Sequence, residues 1–531
     1  MMLWQAWQQD YGVSTQHQTP TTRQQKDIEI PSLPSEEKKN VDETPDIIPA
    51  TGTPLTDSRD IRIATDVLNI TIDQGGNINF AELPAYPQSL DKPGIPVNIL
   101  YEGETGDYLI QGGLSGDNSS PSHQALYSTK KDFYQLEQDQ NELIVPLEWV
   151  SEDGVSVIKS YKFYRGSYRI DVNYQVRNES TQQWKGRAYG QIVRTDPGSS
   201  RTRMIYTYNG AVISRPDKRY EKIDYDDTRD EKLSLNITDG WVAMLQHYFI
   251  SAIIPADKNT EHYFYTSLLD KNRYAIGMAT PAVTIPSGET ATLNYVLYIG
   301  PKIQEQMARL AEGLELTVDY GVLWFIAKPL YWCLEAFHSV SGNWGWSIVL
   351  VTLLLKILFY KLSAAGYKSM ANMRRVQPRL MAIKERYKND RTKLNQAMMD
   401  IYKKEKINPL GGCFPIVIQI PVFIALYWVL LESVELRQTP FILWIKDLSS
   451  PDPYFVLPLV MGVTMIIQQK LNPAPMDPVQ EKVMMVLPIV FTVFFAFFPS
   501  GLVLYWVVNN ILSIIQQWMI TRKIEGAGVK Q

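Results

Sequence analysis

The sequence predicts a multi-domain membrane protein in which an all-β sandwich precedes an α-helical core of five spans. Three observations carry this. Nearly all long uncharged runs lie after residue 340; residues 61–300 alternate apolar and polar side chains at period two; and Val483 to Ile520 is 38 residues without a charge. The averages conceal the division, because 20% charged residues over 531 residues suit a soluble protein taken whole.

A net charge of -4 argues against a globally basic nucleic-acid binder, so no DNA partner is expected. The only two cysteines, Cys333 and Cys413, lie in or beside the apolar half, which leaves the polar half without a disulfide framework. Met1 to Trp7 (MMLWQAW) is too short to span a bilayer or to serve as a secretory signal. Residues 1–11 therefore read as the remnant of a truncated N-terminal transmembrane anchor, with the natural start further upstream. Residues 12–60 are rich in Gln, Thr, Pro, Ser and charge, and read as a flexible linker or as a partly ordered edge of the next domain.

Between residues 61 and 300, segments such as IRIATDVLNITID and SVIKSYKFYRGSYRIDVNYQV place Val, Ile, Tyr and Phe at period two. Turn clusters at Asp73 to Gly76, Asp196 to Gly198 and Pro286 to Gly288 punctuate them, which suits one large antiparallel sandwich. His123, His247 and His262 are scattered singly among these strands and read as structural.

In residues 301–342 the period changes. Ile303, Met307, Leu310 and Leu314 share one helical face, and the aromatic GVLWFIAKPLYWCLEAF follows. This amphipathic region reads either as lying in the headgroup plane or as packing on the sandwich. The first span is 343–363. A basic cytoplasmic helical hairpin follows at 364–408, then spans at 409–431 and 454–470 separated by an outer loop at 432–453. A loop at 471–482 leads to the uncharged run 483–520, about 57 Å as helix and nearly twice the hydrocarbon thickness, so it must fold back. Pro499-Ser500-Gly501 supplies the turn between spans 483–498 and 502–520, and a short tail, 521–531, ends the chain. Residues 361–408 carry thirteen Lys/Arg against four Asp/Glu, whereas 432–453 carry two against four, so the basic loop faces the cytoplasm and the sandwich the outside.

Lys356 lies inside the first span, where a charge costs roughly 2.5 to 3.5 kcal/mol at mid-bilayer. Thr352, Lys356, Tyr360 and Ser363 recur at spacings of four, four and three, so they form one polar stripe on this helix. Tyr505, Asn509, Ser513 and Gln516 repeat the device in the last span, and Gln419, Thr464, Gln468 and Thr492 add polar groups elsewhere. Such a set can line a wet cavity. Lys356 is also near enough to Lys361 to snorkel to cytoplasmic water, which is compatible with a groove open on that side. For the Asn and Gln residues, interhelical hydrogen bonding is an equal alternative. In the basic hairpin, Arg374, Arg375, Arg379, Lys384 and Arg386 read as a solvated face that sets topology, or as a surface that meets anionic lipid or ribosomal RNA. Phosphate-loop, H-E-x-x-H, paired C-x-x-C and G-x-S-x-G motifs are all absent, so neither an enzyme activity nor a metal or cofactor is expected.

The blocks NWGWSIVLVTLLLK, MANMRRVQPRL, INPLGGCFPIVIQIPVFIALYW, VELRQTPFILWIKDLSSPDPY, LPLVMGVTM, FFPSGLVLYWVVNN and IIQQ cover nearly all of residues 343–520. They resemble the YidC/Oxa/Alb membrane insertases, in the Gram-negative form whose large periplasmic domain looks like a sugar-mutarotase sandwich. The resemblance implies an ATP-independent insertase and chaperone of the inner membrane. It would act on nascent membrane proteins, alone or with the Sec translocon, through a hydrophilic groove open to cytoplasm and lipid. Lys356 matches the family's positive groove residue, often arginine, and Thr352 matches its polar neighbour one turn earlier. Tyr505 and Trp506 align with a tyrosine pair, so the chain departs at Trp506. With Tyr360, Ser363, Gln419 and Asn509 these make the expected groove. Ile420, Phe423, Phe491 and Phe494 make the expected apolar slide for an incoming helix. Lys361 stands where relatives have proline, and the short tail leaves the hairpin as the better ribosome contact. The competing readings are a channel or small-molecule transporter, and a membrane-anchored envelope enzyme acting on sugar.

Overall fold

The computed structural model describes residues 60–528 apart from 104–105, 117–119, 199–206, 226–227, 229–231, 271, 388–389, 406–413 and 473–477. The expected anchor remnant, nearly all of the linker and the first residues of segment 409–431 lie outside the described residues.

Period-two patterning produces the sandwich. Its described strands, from Ile61 to Pro301, form one sheet of eleven and one of eight. In the larger sheet, Trp184–Thr195 pairs antiparallel with Tyr108–Gly116 and with Arg273–Ala279. In the smaller, Thr290–Pro301 lies between Phe249–Pro255 and Arg169–Asn178, again antiparallel. One pairing departs from the antiparallel expectation, since the short edge strand Phe133–Gln135 runs parallel to Ile61–Ala64. Strand Val155–Tyr164 shows how the pattern builds the core: Val155, Val157, Lys159, Tyr161 and Phe163 all point inward and are buried.

After the last strand, helix α1 (Gln304–Leu310) inserts Met307 into the core, and the indole of Trp241 donates to the Glu312 carbonyl at 3.0 Å. The beginning of the amphipathic region therefore packs on the sandwich. Helix α2 (Trp324–Ser341) buries Ala327, Leu330, Tyr331 and Leu334 while Trp324, Phe325 and Trp332 stay exposed. Helix α3 (Trp344–Leu358) starts where the Asn343 side chain accepts from the Trp346 amide, an N-cap.

The chain then bends by 68° into α4 (Tyr360–Arg386). This differs from the expected single span at 343–363, and solvation explains it: α3 is apolar nearly all round, whereas α4 is polar outside one apolar face, so the axis turns where they meet. Helix α5 (Arg391–Lys404), capped by Asp390, folds back on α4 through Val376, Leu380, Met398 and Ile401, so the two helices form a hairpin. Helices α6 (Phe414–Glu432), α7 (Val456–Leu471), α8 (Pro478–Phe495) and α9 (Ser500–Gly528) complete the core, with α9 against α3, α4 and α7, and α2 against α3 and α6. The Pro499-Ser500-Gly501 turn is held by the 432–453 loop, for the Ser500 and Gly501 amides donate to Ser450 and Leu448 carbonyls at 2.8 and 2.9 Å. Among the described residues, Ser500–Ile524 alone is long and apolar enough to cross a bilayer; α3 and α4 qualify only as a bent pair, and Ile418–Glu432 and Val456–Leu471 are shorter apolar helices.

Candidate functional site

Spacing of four along α9 puts Tyr505, Asn509 and Ser513 on one face, and that face meets α3 and α6. Tyr505 and Asn509 join Leu355, Lys356, Phe359, Gln419 and Val422 around a cavity of about 10 Å³. That volume is at the lower edge of what one water needs, so little free space adjoins Lys356. Lys356 is 7% exposed, and its ammonium donates to Ser513 Oγ at 2.6 Å.

Four of the eight expected groove residues, Lys356, Gln419, Tyr505 and Asn509, thus meet around one space contributed by three segments. The other four are placed differently. Thr352 is buried one turn earlier with its hydroxyl donating to Ile348 O at 2.6 Å. Tyr360 lies beyond the bend and is 49% exposed, although its carbonyl accepts from Gln516 Nε2 at 3.3 Å. Ser363 is buried within α4, and Trp506 sits among aromatic rings, 4.7 Å from Phe423 and 5.0 Å from Phe495 between centroids. The bend at Phe359 is what separates Tyr360 and Ser363 from the upper part of the stripe.

Of the slide residues, Ile420 and Phe494 are exposed, Phe423 and Phe491 belong to the aromatic cluster with Phe495 and Trp506, and Phe494 also packs its ring on Phe495. In the hairpin, Arg374, Arg375, Arg379, Lys384 and Arg386 are all exposed, and Arg375 and Arg379 share Glu405 at 3.3 and 3.0 Å. Outside the expected set, the cavity also takes Leu355, Phe359 and Val422, and Lys356 takes Ser513. The four-residue spacing from Asn509 signalled Ser513; the apolar lining carried no signal.

The sandwich histidines have structural partners. His123 Nδ1 is 2.7 Å from Tyr189 Oη, His247 Nε2 is 2.9 Å from Leu431 O, and His262 Nδ1 is 2.8 Å from Thr260 O. Burial pushes His123 and His247 down to about 4, so both are neutral at pH 7. The sandwich also buries a lysine that composition alone did not single out. Lys159 Nζ donates to Gly76 O at 2.7 Å and Gly112 O at 2.8 Å, and the rings of Tyr127, Tyr161 and Tyr174 surround it. Gly76 is required there: its φ is +70°, and a Cβ would stand 2.9 Å from Lys159 Nζ. No group of three or more His, Cys, Asp or Glu side chains able to hold a metal occurs among the described residues.

Residues 60–333 match the family model for the YidC periplasmic domain, and residues 336–527 that for the 60Kd inner membrane protein. The chain is 49% identical to the membrane protein insertase YidC of Thioalkalivibrio sulfidiphilus, over 100% of this chain and 97% of the relative. It is 50% identical to that of Methylococcus capsulatus, over 98% and 96%. Among solved structures, a YidC insertase with its first transmembrane domain resolved is similar over 87% of this chain and 92% of that one, with 17% identity and a TM-score of 0.37. A galactose mutarotase related enzyme from Lactobacillus acidophilus is similar over 45% of this chain and 97% of its own, with 9% identity and a TM-score of 0.31. On its full-length identity to these relatives and its two family matches, the chain belongs to the YidC family of membrane protein insertases.

Proposed function

We propose that this protein inserts integral membrane proteins into the bacterial inner membrane and helps them fold, without ATP hydrolysis, alone or with the Sec translocon. In this reading the core spans the membrane five times, the sandwich is periplasmic, and the 364–408 hairpin is cytoplasmic, where its exposed arginines meet the ribosome or anionic lipid. The protein is not an enzyme.

One observation carries the reading: Lys356, Gln419, Tyr505 and Asn509 converge from three segments on one space, and among the described residues Lys356 has a single hydrogen-bond partner, Ser513. An ammonium has three donors, so two remain for a substrate. A polar tail crossing a bilayer costs most at mid-membrane, and a groove with a cation shortens the apolar path and offers an acidic segment a transient partner. Because the space is small, a substrate has to widen it by displacing α6 from α9. Ile420 and Phe494 then give the incoming helix an apolar way into lipid.

Reconstituted vesicles test this with a single-span substrate bearing an acidic outer tail. Lys356→Glu is expected to slow insertion at least tenfold and Lys356→Arg to leave it within about threefold, since arginine keeps the charge. Equal activity of the two variants contradicts the charge requirement.

A further inference from the structure

We infer that Lys302 is a positioning residue that pins the end of α6 to the sandwich, so that the groove stays shut toward the periplasm and opens only from the other side. The inference rests on the groove reading above and assigns the sandwich a part in it.

Lys302 directly follows strand Thr290–Pro301 of the smaller sheet, and its amide donates to Tyr248 O at 2.9 Å. Its ammonium lies 3.5 Å from Glu432 Oε2, the last residue of α6, and 3.3 Å from Thr317 O. The two side chains are 3% and 5% exposed. Beside them His247 Nε2 donates to the carbonyl of Leu431, one of the last carbonyls of the helix, which have no partner within it. Two further contacts act on the residues that follow. Tyr320 Oη is 3.2 Å from Ser433 Oγ. Arg437 and Gln438 donate to Pro87 O at 2.8 and 3.1 Å. The end of α6 is therefore held by a buried ion pair and by hydrogen bonds to segments within the sandwich, at His247 and Pro87, and just after it, at Tyr320. Toward its other end α6 is held by uncharged contacts: Gln419 and Val422 line the small cavity, and Phe423 joins the aromatic cluster, so parting them exposes no buried charge.

Separating a buried pair leaves each ion desolvated and alone, so this end is the costly one to move and becomes the pivot when a substrate displaces α6. A second cavity, of about 170 Å³, borders the pair and is lined also by Lys222, Asp319 and Trp428. Trp428 already brings the flank of α6 into this lining, so loss of the pin would widen the polar space along α6 toward Leu426.

Cysteine labelling tests the pin without any substrate. In full-length protein with Cys333 and Cys413 replaced, a cysteine at Leu426, buried on α6 about 9 Å inside Glu432, is exposed to a membrane-impermeant maleimide added to spheroplasts. The parent should label slowly, Lys302→Met at least tenfold faster, and the charge exchange Lys302→Glu/Glu432→Lys within about threefold of the parent. Glu432→Gln, nearly isosteric, should label about threefold faster while the sandwich keeps its protease resistance, and it decides alone if Lys302→Met does not fold. Parent-rate labelling in every folded variant overturns the pin. Such a result alongside an inactive Lys356→Glu removes the pin and leaves the groove reading standing; accelerated labelling alongside an active Lys356→Glu does the reverse.

Discussion

Of the three lysines buried among the described residues, Lys159 and Lys356 stand in opposite halves of this molecule, and their surroundings differ. Lys159, in the sandwich, is fully enclosed and donates to two backbone carbonyls within a ring of three tyrosines. Lys356, in the helical core, borders a small cavity and donates to one hydroxyl. Buried lysine by itself therefore says little about function. What separates a structural lysine from a working one is whether its donors are already committed.

Removing each lysine breaks or sharpens that contrast. The largest effect is expected from Lys159→Ala, which orphans the Gly76 and Gly112 carbonyls and leaves a hole, for a loss of about 3–5 kcal/mol of sandwich stability by pulse proteolysis in detergent. Lys356→Ala should change stability by less than about 1 kcal/mol, because it removes a poorly solvated charge together with one hydrogen bond. A larger loss at 356 than at 159 would invert the comparison. A smaller effect concerns pH. Burial holds Lys159 at about 7, well below the usual lysine value. Between about pH 7 and 10.5 the unfolded chain binds the proton that the folded chain has released, so stability rises with pH by up to about 1.4 kcal/mol per unit. Lys159→Met, which keeps the apolar stem, should flatten this rise in the same proteolysis measured across that range; an unchanged slope would show that the charge of Lys159 does not matter there.

Much of the fold was legible because it depends on local patterns. The switch from period two to helical spacing near Pro301, the Pro499-Ser500-Gly501 turn and the α4–α5 hairpin are all set by neighbouring residues. Lys159 was legible in principle, standing in register with Val155, Val157, Tyr161 and Phe163 on an inward face. The bend after Leu358 was not, because the polar stripe continues smoothly across it and neither proline nor glycine marks it. Nor was Lys302 with Glu432, partners 130 residues apart whose meeting depends on how the sandwich sits on α6. At the groove, helical spacing located the polar residues of α3 and α9, but which of them face the shared cavity was decided by how α6 packs beside that pair.

The central claim is that the space beside Lys356 receives the substrate. Photocrosslinking side chains at Leu355 and Val422, which line that space and leave Lys356 in place, test it directly on ribosome-bound nascent chains of a single-span membrane protein. The account predicts adducts from both positions and none from a probe at Val150, exposed on the sandwich. Adducts from the exposed Val463 on α7, with none from 355 or 422, would contradict it.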